Sequence, residues 1–277
     1  MASVTEIAQG IYRINVEIPE KPVTFSMFLI DDGQPTLIET SYQRVFDETL
    51  DAVTSILRPD SLRYIVVPHF EGDECGALNR FLDAAPNAMV LGSPTGCATS
   101  LPDFCQREPR VVDDSTVLDL GSHRLRFLIT PWVHAWDSLL ALDESTQTLF
   151  SSDLFLQPGS GPATTDADVS DSMVEYARMR GIFPSQRHMA ALDKIAPLRP
   201  RTIAFNPLPP MRSGYPDPLA WARPAVARTD AATRSTRATP QSRRPPGRAG
   251  RGRHATTQCR VPRHPRTCQR SSASHRQ

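Results

Sequence analysis

A chain of 277 residues, 39% hydrophobic and 22% charged, has material for one large core or two small ones. Its longest apolar runs, Tyr64-Ile-Val-Val-Pro68 and Phe25-Ser-Met-Phe-Leu-Ile30, are strand length and far short of the roughly 20 residues that span a bilayer, so no membrane segment is expected. The net charge of +1 hides an asymmetry: residues 211–277 carry 15 Arg, no Lys and two Asp for a net +13, while 16 Lys and Arg against 28 Asp and Glu give residues 1–210 a net −12.

The start, Met-Ala-Ser-Val-Thr-Glu-Ile, has neither a basic n-region nor an apolar h-region, so a cytoplasmic protein is expected. Short β-rich stretches at 11–16, 26–30 and 36–38, divided by Pro or by Asp-Asp-Gly33, predict an antiparallel meander. Apolar residues at helical spacing from Gln43 to Leu57, ending before Pro59, predict an amphipathic helix, and a buried strand at 62–67 follows. Further along, the pattern predicts helices at 76–84 and 95–105 around a strand at 88–91. A second strand set begins near Val111 and continues at 116–118, 124–130, 138–142 and 148–151, with a hairpin turn at Gly121-Ser122. Helical patterns at 170–179 and 185–195 precede a last strand at 202–205. Strands flanked by helices, repeated twice, predict an α/β fold of the αββα sandwich type over residues 1–210.

Beyond Pro210 the chain is rich in Arg, Pro, Ala, Ser and Thr and almost without large aliphatics, so it cannot build a core. Three readings stand: a disordered low-complexity basic tail, a shifted reading frame, and, ranked last, an arginine-rich nucleic-acid arm without stacking aromatics or a recognisable motif. The five cysteines, 75, 97, 105, 259 and 268, show no close pairs and read as reduced thiols rather than a disulfide framework or structural zinc site.

Chemistry concentrates in Pro68-His-Phe-Glu-Gly-Asp-Glu-Cys-Gly76, directly after a buried strand, where α/β folds present functional side chains. His69, Glu71, Asp73 and Glu74 give four candidate ligands within six residues, and an extended stretch would project the first three to one side. Carboxylates this dense call for a cation. The run resembles the His-x-Glu-x-Asp-His-x-Gly motif of the diiron oxidase domain of flavodiiron proteins, members of the metallo-β-lactamase superfamily. Downstream, Pro131-Trp-Val-His134-Ala-Trp-Asp137-Ser resembles the family's next ligand loop, and Leu149-Phe-Ser-Ser-Asp153 the strand carrying its bridging aspartate. Phe28-Leu-Ile-Asp-Asp-Gly and Leu37-Ile-Glu-Thr also fit, with Glu39 where an Asp is usual, and the match runs over about residues 5 to 206.

The resemblance implies one metal held by His69, Glu71 and His134, a second by Asp73 and Glu74, and Asp153 between them. Glu74 stands where the family has histidine, and Ile203-Ala-Phe-Asn206-Pro207-Leu208 stands where a final histidine is expected. The oxygen-rich donor set favours a pair of iron ions, with manganese or zinc as alternatives. By resemblance the protein would bind or reduce dioxygen, or nitric oxide, as a homo-oligomeric sensor or oxidase supplied by a separate electron donor, since no flavodoxin-like phosphate loop follows a strand. A metal-dependent hydrolase and a degenerate product that keeps the fold are the alternatives. Of the other candidates, His123 reads as a turn or surface residue, His188 as structural or solvent-facing, and Cys75 as a buried thiol beside the ligand loop.

Overall fold

Several apolar runs in the first hundred residues, Met27 to Ile30 and Ile65 to Val67 among them, are continuous rather than alternating, as in strands covered on both faces. The computed structural model describes residues 2–18, 24–156, 164–167, 169–179 and 185–205, with the backbone of 211–212. All belong to one unit, Met1–Ala238, and the second, Thr239–Gln277, lies outside them. The readings of the basic tail past Arg212, and of Asn206 and Pro207, also fall outside the described residues.

The chain forms, in order, β1 (Ser3–Ala8), β2 (Ile11–Glu17), β3 (Thr24–Ile30), β4 (Thr36–Ile38), α1 (Phe46–Thr54), β5 (Tyr64–Val66), α2 (Gly72–Cys75), α3 (Leu78–Ala84), β6 (Met89–Gly92), α4 (Pro94–Ala98), α5 (Ser100–Phe104) and β7 (Arg110–Val111). There follow β8 (Val117–Asp119), β9 (Arg124–Ile129), β10 (Leu139–Asp143), β11 (Thr148–Ser152), α6 (Ser170–Met179), α7 (Gln186–Ile195), β12 (Thr202–Phe205) and β13 (Met211–Arg212). One sheet runs β1-β2-β3-β4-β5-β6-β7 and the other β13-β12-β11-β10-β9-β8. The first is antiparallel through β4 and parallel from β4 to β7, so the predicted meander holds and gains β1.

Side-chain alternation assigns the layers. Phe28, Ile30, Ile38, Val66 and Leu91 of the first sheet share a buried cluster with Phe127, Ala141, Phe150 and Ala204 of the second. The neighbours of these residues point the other way: Met27, Leu29, Leu37, Ile65 and Val90 pack under Val53, Phe81 and Leu82 of α1 and α3. Leu140, Leu142, Leu149 and Ile203 pack under Met173, Leu192 and Ile195 of α6 and α7. The result is the predicted αββα sandwich. Phe28 sits between the sheets, its ring centroid 5.4 Å from that of Phe150. Phe28→Ala is expected to cost about 3–5 kcal/mol in denaturant unfolding. A loss below about 1 kcal/mol would mean that the sheets do not pack through that ring.

Three helices differ from the pattern. The 43–57 helix contracts to α1, because Ile56 and Leu57 both direct their N–H groups to the Val53 carbonyl and turn the chain while still reaching the core. The 95–105 helix breaks into α4 and α5 at Thr99, since Pro102 offers no N–H to continue it and its ring crowds the carbonyl four residues back. The 76–84 helix begins at Leu78, and the residues before it wind separately as α2. No helix among the described residues is long and apolar enough to cross a membrane.

Candidate metal centre

The site lies where the two sheets meet at one end, joined by the Leu139 N–H donating to the Pro68 carbonyl at 2.9 Å. His69 leaves the end of β5 and is buried. The extended arrangement expected for the following residues stops at Glu71, because the helical turn of α2 begins at Gly72. Asp73 and Glu74 are therefore placed by a helix rather than by strand alternation. Cys75 closes that turn, its amide and thiol both donating to the Glu71 carbonyl. Burial pushes the thiol up to about 12, which suits a structural group rather than a reactive one.

The turn is clamped against the loop after β4. The Thr40 amide donates to the Glu74 carbonyl at 2.6 Å and the Ala77 amide to the Ser41 carbonyl at 2.9 Å. Gly76 permits this approach: a Cβ there would stand 3.2 Å from Gln43 N and 3.3 Å from Ser41 O, besides colliding with the Gly72 carbonyl.

From the other sheet, His134 occupies a tight loop between β9 and β10. Both Trp132 and His134 have left-handed φ values, 66° and 67°. Such a conformation costs roughly 1–3 kcal/mol per non-glycine residue. It is held by Trp132 N–H to the Ala135 carbonyl at 2.8 Å and by Thr130 N–H to the Ser138 carbonyl at 3.0 Å. Asp137, buried in the same loop, accepts from the Phe70 amide at 3.0 Å and so ties the His134 loop to the His69 loop. Asp153 follows β11, immediately after Ser152, whose φ of 44° redirects the chain.

These placements bring all six predicted residues into two overlapping groups. Ligand atoms of His69, Glu71, His134 and Asp153 lie within 4.8 Å of one another, as do those of Glu71, Asp73 and Glu74. Glu71 Oε2 is 3.2 Å from His69 Nε2 and 2.9 Å from His134 Nε2, and His134 Nε2 is 3.4 Å from Asp153 Oδ2. In this geometry the residue common to both groups is Glu71, while Asp153 sits with the imidazoles. His134 and then His69 hold the Glu71 carboxyl well below the usual carboxylate range, and Glu71 in turn raises His134.

The remaining carboxylates are shifted the other way. Burial, then Glu71, raises Asp73, and burial raises Asp153 against the opposing influence of His69 and His134. Glu74 is wholly buried, and neither oxygen has a hydrogen-bond partner of ordinary geometry. His69 Nε2 stands 3.6 Å from its Oε2, beyond hydrogen-bond reach. Asp73 is close enough to contest its proton. Burial and the charges of Asp153, Glu39 and Asp73 push the Glu74 carboxyl well above its usual range. A buried carboxyl among other carboxyls, with the His69 imidazole nearby, is a donor set that a hard cation would satisfy.

Three residues outside the predicted ligand set support the site. Ser152 Oγ lies 3.3 Å from His69 Nδ1, which orients the ring with Nε2 toward the carboxylates. Glu39, buried with a φ of 67°, adds charge behind Glu74, and its place after a strand, where an Asp was expected, was the available signal. His188 is N3 of a capping box on α7 and lines a cavity with His134 and Asp153. By contrast, His123 is buried rather than at the surface, its Nδ1 3.1 Å from Asp143 Oδ2. Asp143 also accepts from the Arg124 and Thr146 amides, so His123 belongs to a structural network at the far side of β9 and β10.

Two packed sheets between helices, with histidine and carboxylate loops gathered where the sheets meet, define a metallo-β-lactamase-like fold. A family model described as ODP family beta lactamase matches residues 23–204, and the chain belongs to that family. Among curated relatives, putative diflavin flavoprotein A 3 of Nostoc sp. (strain PCC 7120) is 31% identical over 147 residues, 52% of this chain and 25% of that protein. Flavo-diiron protein FprA2 of Clostridium acetobutylicum is 30% identical over 138 residues, 48% of this chain and 34% of that protein. The chain thus spans a quarter to about a third of the length of these two relatives. In structure, the metal-soaked Flv1 flavodiiron core of Synechocystis superposes with a TM-score of 0.74 at 21% identity, covering 83% of this chain and 62% of that one. A fragment of putative diflavin flavoprotein A 5 of Nostoc gives 0.72 at 20% identity, covering 85% and 98%. Both show the same fold.

Proposed function

We propose that this chain is a non-haem diiron protein that binds or reduces dioxygen, with nitric oxide as the alternative gas, and that a separate donor protein supplies its electrons. The observation that carries the reading is the donor set itself: four carboxylates and two imidazoles, with Glu74 buried and without a hydrogen bond of ordinary geometry. Carboxylate-rich sites favour iron or manganese over zinc. The names of the relatives, diflavin flavoprotein and flavo-diiron protein, point the same way.

His69, Glu71, His134 and Asp153 would hold one iron, and Asp73 and Glu74 the second, with Asp153 or Glu71 as the carboxylate between them. Bound iron would supply one-electron chemistry toward a small gas. The chain's own contribution is to orient these groups. Ser152 fixes the His69 ring, Asp137 ties the two ligand loops together, and Phe155 and Met173 wall the cavity beside His134.

Purified protein is expected to contain iron, and after chemical reduction its absorption spectrum should change when air is admitted. Protein that takes up only zinc and turns over a thioester, lactone or phosphoester, with turnover abolished by His69→Ala, would instead identify a hydrolase.

A further inference from the structure

One cavity among the described residues opens onto the centre. It is a small hollow lined by His134, Asp153 and His188 with apolar walls that include Phe155, Met173 and Ala177. His134 and Asp153 are candidate ligands, which leaves His188 as the polar lining residue outside the ligand set. The Nδ1 of His188 lies 3.3 Å from the Ser185 amide nitrogen and 3.0 Å from Ser185 Oγ.

A backbone N–H can only donate, so Nδ1 accepts and carries no proton. The helix cap therefore selects one tautomer, the neutral ring with its hydrogen on Nε2. Burial and the proximity of His134 lower the basicity of His188, in keeping with a neutral ring. With Nδ1 committed to the cap, Nε2–H is the polar atom that His188 has left for the cavity. No hydrogen bond to it is found among the described residues.

We infer that His188 is a ligand-binding residue of the centre: its Nε2–H donates to the terminal acceptor atom of a small ligand, such as a diatomic gas or a linear triatomic anion, held in the cavity beside His134 and Asp153. The inference rests on the reading of the six residues as an iron site. It assigns α7 two tasks through one ring, because the atom that caps the helix also sets which hydrogen the ligand meets.

Azide is a suitable probe, since it is linear, ends in an acceptor and gives a charge-transfer band on ferric iron. Iron content and azide affinity are measured by titration for the wild type, His188→Gln and His188→Leu. Glutamine at N3 can keep the cap through its oxygen and still offer an N–H. Leucine offers neither. The azide dissociation constant is expected to rise about five- to tenfold in His188→Leu and to stay within about threefold of wild type in His188→Gln, at equal iron content. Equal affinity in wild type and His188→Leu, with iron and the azide band present in both, overturns the role of His188 and leaves the iron centre standing. Affinity that falls equally in both variants also overturns it, since the cap rather than the donor would then matter. Wild-type protein without iron or an azide band overturns the centre and this inference with it.

Discussion

Glu74→Gln is expected to stabilise the metal-free protein by about 1–3 kcal/mol at neutral pH and to weaken iron binding by more than about tenfold. The two effects have one cause. Glu74 is fully buried with neither oxygen in a hydrogen bond of ordinary geometry, and it faces Asp153, Glu39 and Asp73. Its carboxyl therefore stays protonated in the native state well above its ordinary value of 4.5. The unfolded chain gives up that proton, so above the ordinary value the native state holds more protons than the unfolded one. Stability of the metal-free wild type accordingly falls as pH rises from the ordinary carboxylate range toward the raised native value.

Glutamine does not titrate, so the stability gap between variant and wild type should widen with pH. Asp153 and Asp73, also raised, keep some pH dependence in the variant. Metal reverses the trend, because ligation needs the carboxylate and releases the proton. Urea unfolding at pH 5 and pH 8, with and without iron, measures all of this. A variant that parallels the metal-free wild type at both pH values would show that Glu74 has a compensating partner.

His69→Ala is expected to lower iron affinity by more than about a hundredfold, measured by competition with a chelator. Loss of a residue that merely orients a ligand already costs about 10- to 100-fold, and His69 is itself within reach of both ligand groups. The same change frees Ser152 Oγ and one side of Glu71, whose carboxyl His69 helps to hold down. The variant should remain folded, because the core clusters of the sandwich do not include His69. Retention of wild-type iron affinity would remove His69 from the site.

Much of the sandwich was legible because its strands carry their own signals. Ile11 to Val16 alternates, Phe25 to Ile30 is apolar apart from Ser26, and Thr202 to Phe205 coincides with β12. The strand β1 was missed because Ser3–Ala8 is polar and largely exposed, so pairing with β2 rather than burial makes it a strand. The α2 turn was hidden for a different reason. Its four residues, Gly-Asp-Glu-Cys, have no helical periodicity, and the turn exists because Thr40 and Ser41 anchor it from another loop.

The candidate ligands were readable as a motif, yet their grouping was not. Which carboxylate stands between the imidazoles depends on how two sheets meet, which no local pattern encodes. His123 and His188 show the same limit. Each looked ordinary in sequence, and only tertiary contacts send one to Asp143 and the other to the cavity.

The contact between Pro68 and Leu139 has a consequence for assembly. Residues 3–111 make the first sheet and residues 117–212 the second, so each sheet is contiguous in the chain. The carboxylate group of Glu71, Asp73 and Glu74 comes wholly from the first half, and His134 and Asp153 come wholly from the second. Each half can be built from local sequence, but Glu71 meets His134 only when the halves dock. Iron held across that seam would bind two separately written pieces of the chain like a clasp, and its retention would register whether they have closed.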